Sequence, residues 1–275
     1  MEKNNKTKYA FWGTPYVAEQ SLQILIDNGL LPTVVITNPD RAQGRGLELT
    51  PTPVKILATK YNIPVLTPDK IDEDFIKKFS EYEVDLSIVV AYGSILPESI
   101  INLPQYGTLN IHYSLLPKYR GASPVESVLL NGEIKTGVTI QKMVRKLDAG
   151  DIVACSEFPI DPNISKDELR DNLIKIGANL LIQILPLYTE GSIKLLQQNE
   201  NDATHCGKIK KEDGLIDPNG DSLANYNKYR AFAGWPGIYF FLDGKRIKIT
   251  SARLQDGKFI IEKIIPEGKK ETIWK

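Results

Sequence analysis

Two polar residues, Asn110 and His112, stand in an otherwise apolar run that reads Leu-Asn-Ile-His-Tyr. Residues two positions apart in a strand point to the same face, so we expect the amide and the imidazole side by side. A loop follows at once, which puts the pair at the carboxyl end of a strand, where open α/β sheets place their active sites. Asp148 lies in Leu-Asp-Ala-Gly-Asp, just past another predicted strand, and can approach the same edge. Together the three groups could stabilise a developing oxyanion and carry a proton, although a lone histidine in an apolar strand is more often an ordinary core residue.

The elements that must position these residues alternate along the first 190 positions. Apolar runs at 8–12, 32–37 and 85–91 predict strands, and helices are predicted at about 52–61 and 72–82, with further strands at 109–112 and 136–143. Strands separated by helices favour an α/β fold with a doubly wound, mostly parallel sheet. Thr14 is expected to cap the first helix, with Pro15 as its first residue. Ser165 and Glu168 form a capping box for a later helix, which Pro186 and Gly191 are expected to end.

The last third of the chain has a different pattern. A polar stretch at 190–206 predicts a linker, and after it short alternating runs at 237–242, 246–252 and 258–264 are joined by two Asp-Gly pairs, a strong hairpin signal. We therefore expect a second, smaller β domain, barrel-like in form. Residues 205–275 hold 14 Lys and Arg against 9 Asp and Glu. That excess fits either a solubilising surface or a module that binds a polyanion such as nucleic acid.

Composition excludes several classes of protein. The chain has 34 basic and 34 acidic residues and 42% hydrophobic residues, typical of a globular protein. No apolar stretch is long enough for a membrane helix, and the polar amino terminus lacks a leader pattern, so we expect a cytoplasmic protein without membrane contact. Cys155 and Cys206 make neither a disulfide framework nor a zinc site, and no metal is predicted.

Several blocks in a fixed order resemble the formyltransferases that use 10-formyltetrahydrofolate. They are Asn110-Ile111-His112, Ser114-Leu115-Leu116-Pro117, Arg120-Gly121, Thr136-Gly137-Val138-Thr139 and Leu147-Asp148-Ala149-Gly150-Asp151. Others are similar to the branch of that family that formylates methionyl initiator tRNA: Gly13-Thr14-Pro15, Asn38-Pro39-Asp40-Arg41 with Gly44-Arg45-Gly46, Pro51 to Lys55, Ala91-Tyr92-Gly93 with Ile95-Leu96-Pro97, and Arg230-Ala231-Phe232 with Trp235-Pro236. The resemblance extends over nearly the whole length.

The resemblance implies a Rossmann-like catalytic domain at 1–189, a linker at 190–206 and a short tRNA-binding β domain at 207–275. It implies that Asn110, His112 and Asp148 are the catalytic residues, with 10-formyltetrahydrofolate as co-substrate and methionyl initiator tRNA as partner. Folate contacts are expected at Ser114, Leu115, Leu116, Pro117, Tyr92, Ile95, Leu96 and Pro97, and tRNA contacts at Arg45, Arg41, Lys118 and Arg120. A monomer is expected.

Three departures from the family pattern bear on tRNA binding and on the site. Leu47-Glu48-Leu49 stands where lysines usually continue the arginine loop, the carboxyl-terminal module is short, and the usually small residue after the histidine is Tyr113. Tyr113 either packs behind the sheet or reaches the site and narrows it. Two other functions remain open: a formyltransferase acting on an amino-sugar nucleotide, and a tRNA-binding protein without catalysis. Phe232 and Trp235 are expected in the core of the small domain rather than as a platform for stacked bases.

Overall fold

The computed structural model describes residues 7–43 and 48–275. The strands are β1 (Tyr9–Gly13), β2 (Val34–Ile36), β3 (Arg41–Gln43), β4 (Glu48–Thr50), β5 (Val65–Leu66), β6 (Leu86–Val90), β7 (Thr108–His112), β8 (Arg120–Gly121), β9 (Lys135–Lys142), β10 (Ile152–Pro159), β11 (His205–Cys206), β12 (Ile238–Leu242), β13 (Lys245–Gln255), β14 (Lys258–Pro266) and β15 (Thr272–Ile273). The helices are α1 (Tyr16–Asp27), α2 (Pro53–Lys60), α3 (Glu73–Ser80), α4 (Glu98–Ile101), α5 (Pro124–Leu130), α6 (Lys166–Thr189) and α7 (Ser222–Ala231). Over these two ranges, no helix combines the length and the apolar character needed to cross a bilayer.

The first part of the chain folds around a seven-stranded sheet of order β10-β9-β7-β6-β1-β2-β5. Strands β1, β2, β5, β6 and β7 are parallel, and β9 and β10 extend the sheet in antiparallel fashion. Both β1 and β6 are buried along their whole length, as near-continuous apolar strands of a parallel sheet should be. The Rossmann-like, mostly parallel α/β sheet expected from the sequence is confirmed.

The two faces of this sheet are covered by different helices. Along β1, Phe11 lies in one apolar cluster with the buried sides of α1 and α6, and Trp12 lies in another with α3 and α4. The alternation follows from strand geometry, because successive side chains point to opposite faces. The chain winds from β1 to β2 and β5, then returns to β6 on the other side of β1. The carboxyl ends of β1 and β6 therefore flank a switch point in strand order, the usual place for a ligand crevice.

Two expected helix ends differ from the structure. Helix α1 begins at Tyr16 with Pro15 at the cap position, and Thr14 donates its hydroxyl proton to the Tyr92 carbonyl at 2.9 Å instead of capping the helix. Pro186 lies inside α6, which continues to Thr189 before the left-handed Gly191. A proline in the last turn interrupts little of the helix, because only a few residues follow it. The capping box of Ser165 and Glu168 is present as expected.

The second module is a four-stranded antiparallel sheet, β12-β13-β14-β15, with α7 packed against it. Its two tight hairpins turn at Asp243-Gly244 and Asp256-Gly257, where φ is 49° and 73°, then 52° and 73°. Two consecutive positive φ values make the turn whose twist suits a hairpin, and Asp-Gly tolerates them. The small β domain expected from the sequence is confirmed. Phe232 and Ile238 of this module belong to the same apolar cluster as α1 and α6, so the two modules share one core.

Candidate active site

The pair on β7 faces away from the core under α1 and α6. Leu109 and Ile111 alternate with Asn110 and His112 and pack into that core. Strand β7 ends at His112, so the pair lies at the carboxyl end of a parallel strand. Tyr113 packs behind the sheet, where its hydroxyl lies 3.1 Å from the Ser21 hydroxyl of α1. Its hydroxyl is thus directed into the core, although Tyr113 also forms part of the wall of the cavity over the site, and burial raises the pKa of its phenol.

The imidazole of His112 is held from two sides. Its Nε2 lies 2.9 Å from the carbonyl oxygen of Tyr119, and because a carbonyl only accepts, Nε2 carries a proton. Its Nδ1 lies 3.7 Å from Oδ2 of Asp148, an ion-pair distance when the ring is protonated. The His112 side chain is 6% exposed and the Asp148 side chain 10%. Nδ1 is therefore the ring nitrogen that faces the carboxylate.

The carboxylate of Asp148 is oriented by two donors. The Gly121 backbone N–H donates to Oδ2 at 2.8 Å, and the side-chain amide of Gln141 donates to Oδ1 at 2.9 Å. Gln141 also accepts from the Gly150 N–H at 3.2 Å, which ties both ends of the Asp148 turn to one amide. Asp148 itself has a left-handed φ of 49°. These contacts fix the direction of the carboxylate toward His112.

Gln141 was not singled out in the sequence. It lies on β9 directly opposite Asn110 of β7, and opposed residues of an antiparallel pair share a face. The sequence signal that could have identified Gln141 is a glutamine inside a predicted strand. In the structure its side chain is 1% exposed. The short β9–β10 connection brings Gln141 to Asp148, and the register of β7 against β9, which a sequence alone does not supply, sets Gln141 opposite Asn110.

A cavity of about 880 Å³ opens over these residues. Its wall includes Asn110, His112, Gln141 and Asp148, the loop from Ala91 to Leu96, and, from the second module, Lys208, Ile209 and Trp235. A neighbouring cavity of about 930 Å³ is lined by Asn38 to Arg41, Pro68 to Ile71, Tyr92, Ser94 to Glu98, and Arg145. The two cavities share Tyr92, Ser94, Ile95, Leu96 and Arg145, so they form a continuous groove along the 91–98 loop. Both volumes are in the range of small-molecule sites.

The residues expected to contact folate divide into two groups. Tyr92, Ile95, Leu96 and Pro97 belong to the groove, and Ile95 is 90% exposed in it. The ring of Tyr92 packs edge-on against Trp12, and burial raises the pKa of Tyr92 to about 12.

The segment Ser114, Leu115, Leu116 and Pro117 lines neither cavity. Ser114 donates its hydroxyl proton to the Lys118 carbonyl at 2.6 Å, and Thr139 donates to the Ser114 carbonyl at 2.7 Å. The Leu116 N–H donates in turn to the Thr139 hydroxyl at 3.1 Å. In the structure these residues fasten the loop after β7, and their folate contact stays a prediction.

The structure bears differently on the four residues expected to contact tRNA. Arg41 is exposed and lines the 930 Å³ cavity, whereas Arg45 lies outside the described residues. Lys118 is exposed and pairs with Glu133 at 3.4 Å. Arg120 needs a correction, because its side chain is 0% exposed and its guanidinium is occupied by Gln198 and Glu200. A guanidinium enclosed by protein cannot reach a phosphate backbone at the surface.

Trp235 also differs from its expected core position. Its side chain is 59% exposed and forms part of the 880 Å³ cavity, while Phe232 is 1% exposed and packs in the core as expected. The amine of Lys166, at the start of α6, donates to the Ala233 carbonyl at 2.5 Å and the Trp235 carbonyl at 3.3 Å, which holds this loop at the cavity. Burial lowers the pKa of Lys166. Across the described residues, no three His, Cys, Asp or Glu side chains come together as a metal site would require.

Family models match both parts of the chain. The model described as formyl transferase matches residues 8–185, and the model described as formyl transferase, C-terminal domain, matches residues 208–272. The chain is 42% identical over 249 residues to the methionyl-tRNA formyltransferase of Sulfurihydrogenibium sp., covering 90% of this chain and 80% of that protein. It is 42% identical over 243 residues to the methionyl-tRNA formyltransferase of Thermotoga maritima, covering 88% and 78%.

Solved structures share the fold at lower identity. The methionyl-tRNA formyltransferase of Clostridium thermocellum has a TM-score of 0.62 at 16% identity, covering 94% of this chain and 98% of that one. The N-formyltransferase of Helicobacter canadensis, solved with folinic acid and dTDP-3-aminofucose, has a TM-score of 0.67 at 19% identity, covering 93% and 95%. At these identities the likeness establishes the shared architecture and nothing finer.

Proposed function

Because this chain belongs to the formyl transferase family, we propose that it transfers the formyl group of 10-formyltetrahydrofolate to the α-amine of methionyl initiator tRNA. The observation that carries the catalytic assignment is the convergence of Asn110, His112 and Asp148 on one cavity at the carboxyl end of β7. The relatives at about 42% identity, named methionyl-tRNA formyltransferases, support the choice of acceptor.

The attacking group needs little activation. A free α-amine titrates near 7.7 to 8.0, and the ester of an aminoacyl-tRNA brings that value no higher, so a useful fraction is neutral at cellular pH. The amine attacks the formyl carbon, which becomes tetrahedral as its oxygen takes a negative charge. The amide N–H of Asn110 and the Nδ1–H of protonated His112 are the donors available to that oxygen.

Asp148 then completes the proton transfer. Its Oδ2 faces Nδ1 of His112 at 3.7 Å, so the carboxylate lies beside the imidazole at the reacting edge. Directly or through a water molecule, it moves the proton of the attacking nitrogen to N10 of the folate. The new C–N bond is already formed in the tetrahedral intermediate, which then collapses: the oxygen re-forms the carbonyl, the bond to N10 breaks, and the protonated N10 departs neutral.

The groove has the size and lining for both substrates. The 91–98 loop, with Ile95, Leu96 and Pro97, supplies an apolar wall for a folate. The formyl group must lie at Asn110 and His112, so the aminoacyl end enters from the side of Trp235 and Lys208. Arg41, Arg45 and Lys118 are proposed as contacts to the tRNA backbone, and Arg120 is withdrawn from that set because it is buried.

The domain limits are proposed as 1–189, 190–206 and 207–275. The matched ranges 8–185 and 208–272 support a division near 190–206. We further propose that the protein is a monomer, which light scattering of the purified protein tests by returning the mass of one chain. The mass of two chains would exclude it.

The alternative acceptor, an amino-sugar nucleotide, has less support. Lys118 and Tyr119 are both engaged with Glu133, through an ion pair of 3.4 Å and a phenol hydrogen bond of 2.7 Å. Formyltransferases of sugars are related at the level of the fold, near 20% identity.

The deciding experiment offers the purified protein 10-formyltetrahydrofolate with either methionyl initiator tRNA or a dTDP-linked amino sugar. We expect the tRNA amine to be formylated and the sugar amine to remain free, as measured by mass spectrometry of each acceptor. Cys155→Ser, a change at an exposed site on β10, serves as the matched control with unchanged activity. Formylation of the sugar alone would reverse the choice of acceptor, and formylation of neither would favour a tRNA-binding protein without catalysis.

A further inference from the structure

The chain that connects the two modules is bound tightly to the loops that hold the catalytic residues. Leu196 and Ile152 exchange two backbone hydrogen bonds, of 2.8 and 2.9 Å. Farther on, β11 pairs in parallel with β8, and the Arg120 N–H donates to the Thr204 carbonyl at 2.8 Å. We call residues 198–206 the closing segment, because they lie across the back of the site between these two attachments.

Gln198 is the residue of the closing segment nearest to Asp148. It is 6% exposed, and its side-chain N–H groups donate to the Asp148 carbonyl at 2.9 Å and the Gly150 carbonyl at 2.7 Å. Its side-chain oxygen accepts from Nε and Nη2 of Arg120 at 3.0 and 2.8 Å. All of its hydrogen-bonding capacity is therefore used, two bonds to the Asp148 turn and two to the guanidinium.

The turn at Asp148 has a strained backbone, so its conformation depends on contacts such as those of Gln198. Asp148 has a left-handed φ of 49°, which costs energy in a non-glycine residue. At Gly150 a Cβ atom would lie 1.7 Å from the Lys142 carbonyl oxygen, so the turn is pressed against β9. A conformation of this kind persists only when its surroundings specify it, and the two carbonyl contacts of Gln198 add to those that Gln141 makes with the Asp148 carboxylate and the Gly150 N–H.

The same segment also positions His112. The 119–121 stretch supplies the Tyr119 carbonyl that accepts from His112 Nε2 and the Gly121 N–H that donates to Asp148. That stretch is attached to the closing segment by the β8–β11 pairing and by the Tyr119 N–H, which donates to the Thr204 hydroxyl at 2.8 Å. Arg120, between the two contacts, is anchored by Gln198 and by Glu200.

From these contacts we infer that the closing segment is part of the catalytic apparatus, with Gln198 and Arg120 acting as positioning residues that set the Asp148 carboxylate against the His112 imidazole. This inference rests on the proposed catalytic roles of those two residues. It also explains why a fully buried arginine stands in the loop after β7. Its guanidinium links the catalytic turn to the interdomain chain.

Gln198→Glu tests the inference most sharply. The carboxylate keeps its acceptor for Arg120, so the segment stays attached, but it places a negative oxygen against the Asp148 and Gly150 carbonyls, which then repel it. The turn must shift, and since a displacement of about 1 Å at a reacting group can cost about 10²-fold in rate, we expect kcat to fall about 10-fold to 100-fold. KM for the folate and for the tRNA should remain within about 2-fold, because neither substrate touches Gln198 directly.

A spectroscopic readout separates positioning from loss of fold. The chain has only two histidines, His112 and His205, so the ring resonances of His112 can be followed in nitrogen-15 histidine spectra. We expect them to shift in Gln198→Glu while the circular dichroism spectrum and the fraction folded stay those of the unaltered protein. Gln197→Glu, the same change at the exposed neighbouring glutamine, is the matched control and should leave both kcat and the His112 resonances unchanged.

Gln198→Met is a second variant, which keeps the length of the side chain but none of its hydrogen bonds. It should also lower kcat, which would show that the effect of Gln198→Glu is not due to the added charge alone. An unchanged kcat in folded Gln198→Glu and Gln198→Met would overturn the inference, as would a rise in both KM values at constant kcat. The His112 resonances are measured without any acceptor, so they test the positioning role even if the unaltered protein formylates neither acceptor. That last result would reject the proposed function instead.

Discussion

At the scale of single residues, the site depends on how each side chain of a short strand is directed. Asn110 and His112 face the cavity because β7 alternates, and Leu109 and Ile111 fill the core behind them. The Tyr119 carbonyl then holds the ring of His112 at Nε2, and Nδ1 faces the Asp148 carboxylate at 3.7 Å without a hydrogen bond to it. A histidine held in this way keeps Nδ1 available as a donor where the reaction develops negative charge.

Asn110→Ala and His112→Ala each remove one donor to the developing oxyanion. We expect each to lower the single-turnover rate by about 10²-fold to 10³-fold, as loss of one such donor does in other enzymes. Rapid-quench assays with saturating folate and methionyl initiator tRNA measure the single-turnover rate. Circular dichroism verifies that the variants are folded. Near-normal turnover in folded variants would remove both residues from the mechanism.

At the scale of elements, the β3–β4 hairpin and the loop before β12 carry two exposed residues that bear on the proposed tRNA binding. Glu48 is exposed at the start of β4, beside β3, which carries the proposed tRNA contact Arg41. Trp235 is exposed on the loop between α7 and β12 and reaches the cavity that contains the catalytic residues. Glu48 places negative charge where a phosphate backbone is expected. Trp235 offers an aromatic face for a base.

Glu48→Lys should strengthen binding of methionyl initiator tRNA and steepen its salt dependence. One added phosphate contact changes the slope of log K against log salt by about −0.7 to −0.9. Binding isotherms at several potassium concentrations measure the slope. Glu190→Lys, the same charge change at the exposed end of α6, is the matched control. Equal slopes in the two variants would show that the hairpin does not meet the tRNA backbone.

Trp235→Ala should weaken the productive binding of the aminoacyl end. A stacked base contributes about 1 to 3 kcal/mol, so we expect KM for the tRNA to rise about 5-fold to 160-fold with little change in KM for the folate. Steady-state kinetics with each substrate varied in turn provide the measurement. Trp235→Phe keeps an aromatic face and should retain most of the affinity. If alanine and phenylalanine behave alike, stacking is not the role of this side chain.

At the scale of the whole molecule, the interdomain chain and the shared core make the two modules interdependent. Phe232 and Ile238 of the second module lie in the core that begins under β1. Glu200 of the closing segment bridges Arg120, at 3.0 Å, and Lys146, at 2.6 Å. Hydrogen bonds from those two cations hold the pKa of Glu200 near 2, below its ordinary value of 4.5.

Glu200→Gln should therefore destabilise the protein in a pH-dependent way. A carboxyl whose pKa is lower in the folded state contributes its full stabilisation above its unfolded pKa of about 4.5, and loses it as the pH falls through about 2. Urea unfolding of both proteins between pH 3 and pH 7 measures the difference. We expect the difference to be constant at the upper end of that range and to shrink below about pH 4.5. A difference that does not depend on pH would show that the glutamate charge is not involved.

Much of this architecture was predictable from local patterns. The buried runs of β1 and β6, the capping box at Ser165 and the two Asp-Gly hairpins each depend on neighbours within a few positions, so periodicity and turn chemistry identify them. The placement of Asn110 beside His112 is of the same kind, because strand alternation is a property of the backbone. The cap expected at Thr14 is absent because the hydroxyl of Thr14 binds the Tyr92 carbonyl, in the loop that follows the distant strand β6.

What the sequence by itself determined was the alternation of strands and helices in the first part of the chain, the two Asp-Gly hairpins, the shared face of Asn110 and His112, and the family motifs that point to formyl transfer. Tertiary structure alone decided which partners meet. The register of β7 on β9 sets Gln141 opposite Asn110, the pairing of Leu196 with Ile152 brings Gln198 to the Asp148 turn, and burial converts Arg120 from an expected tRNA contact into an internal anchor. These contacts join residues up to 80 positions apart, and their formation depends on how sheets and loops pack, which no local pattern records.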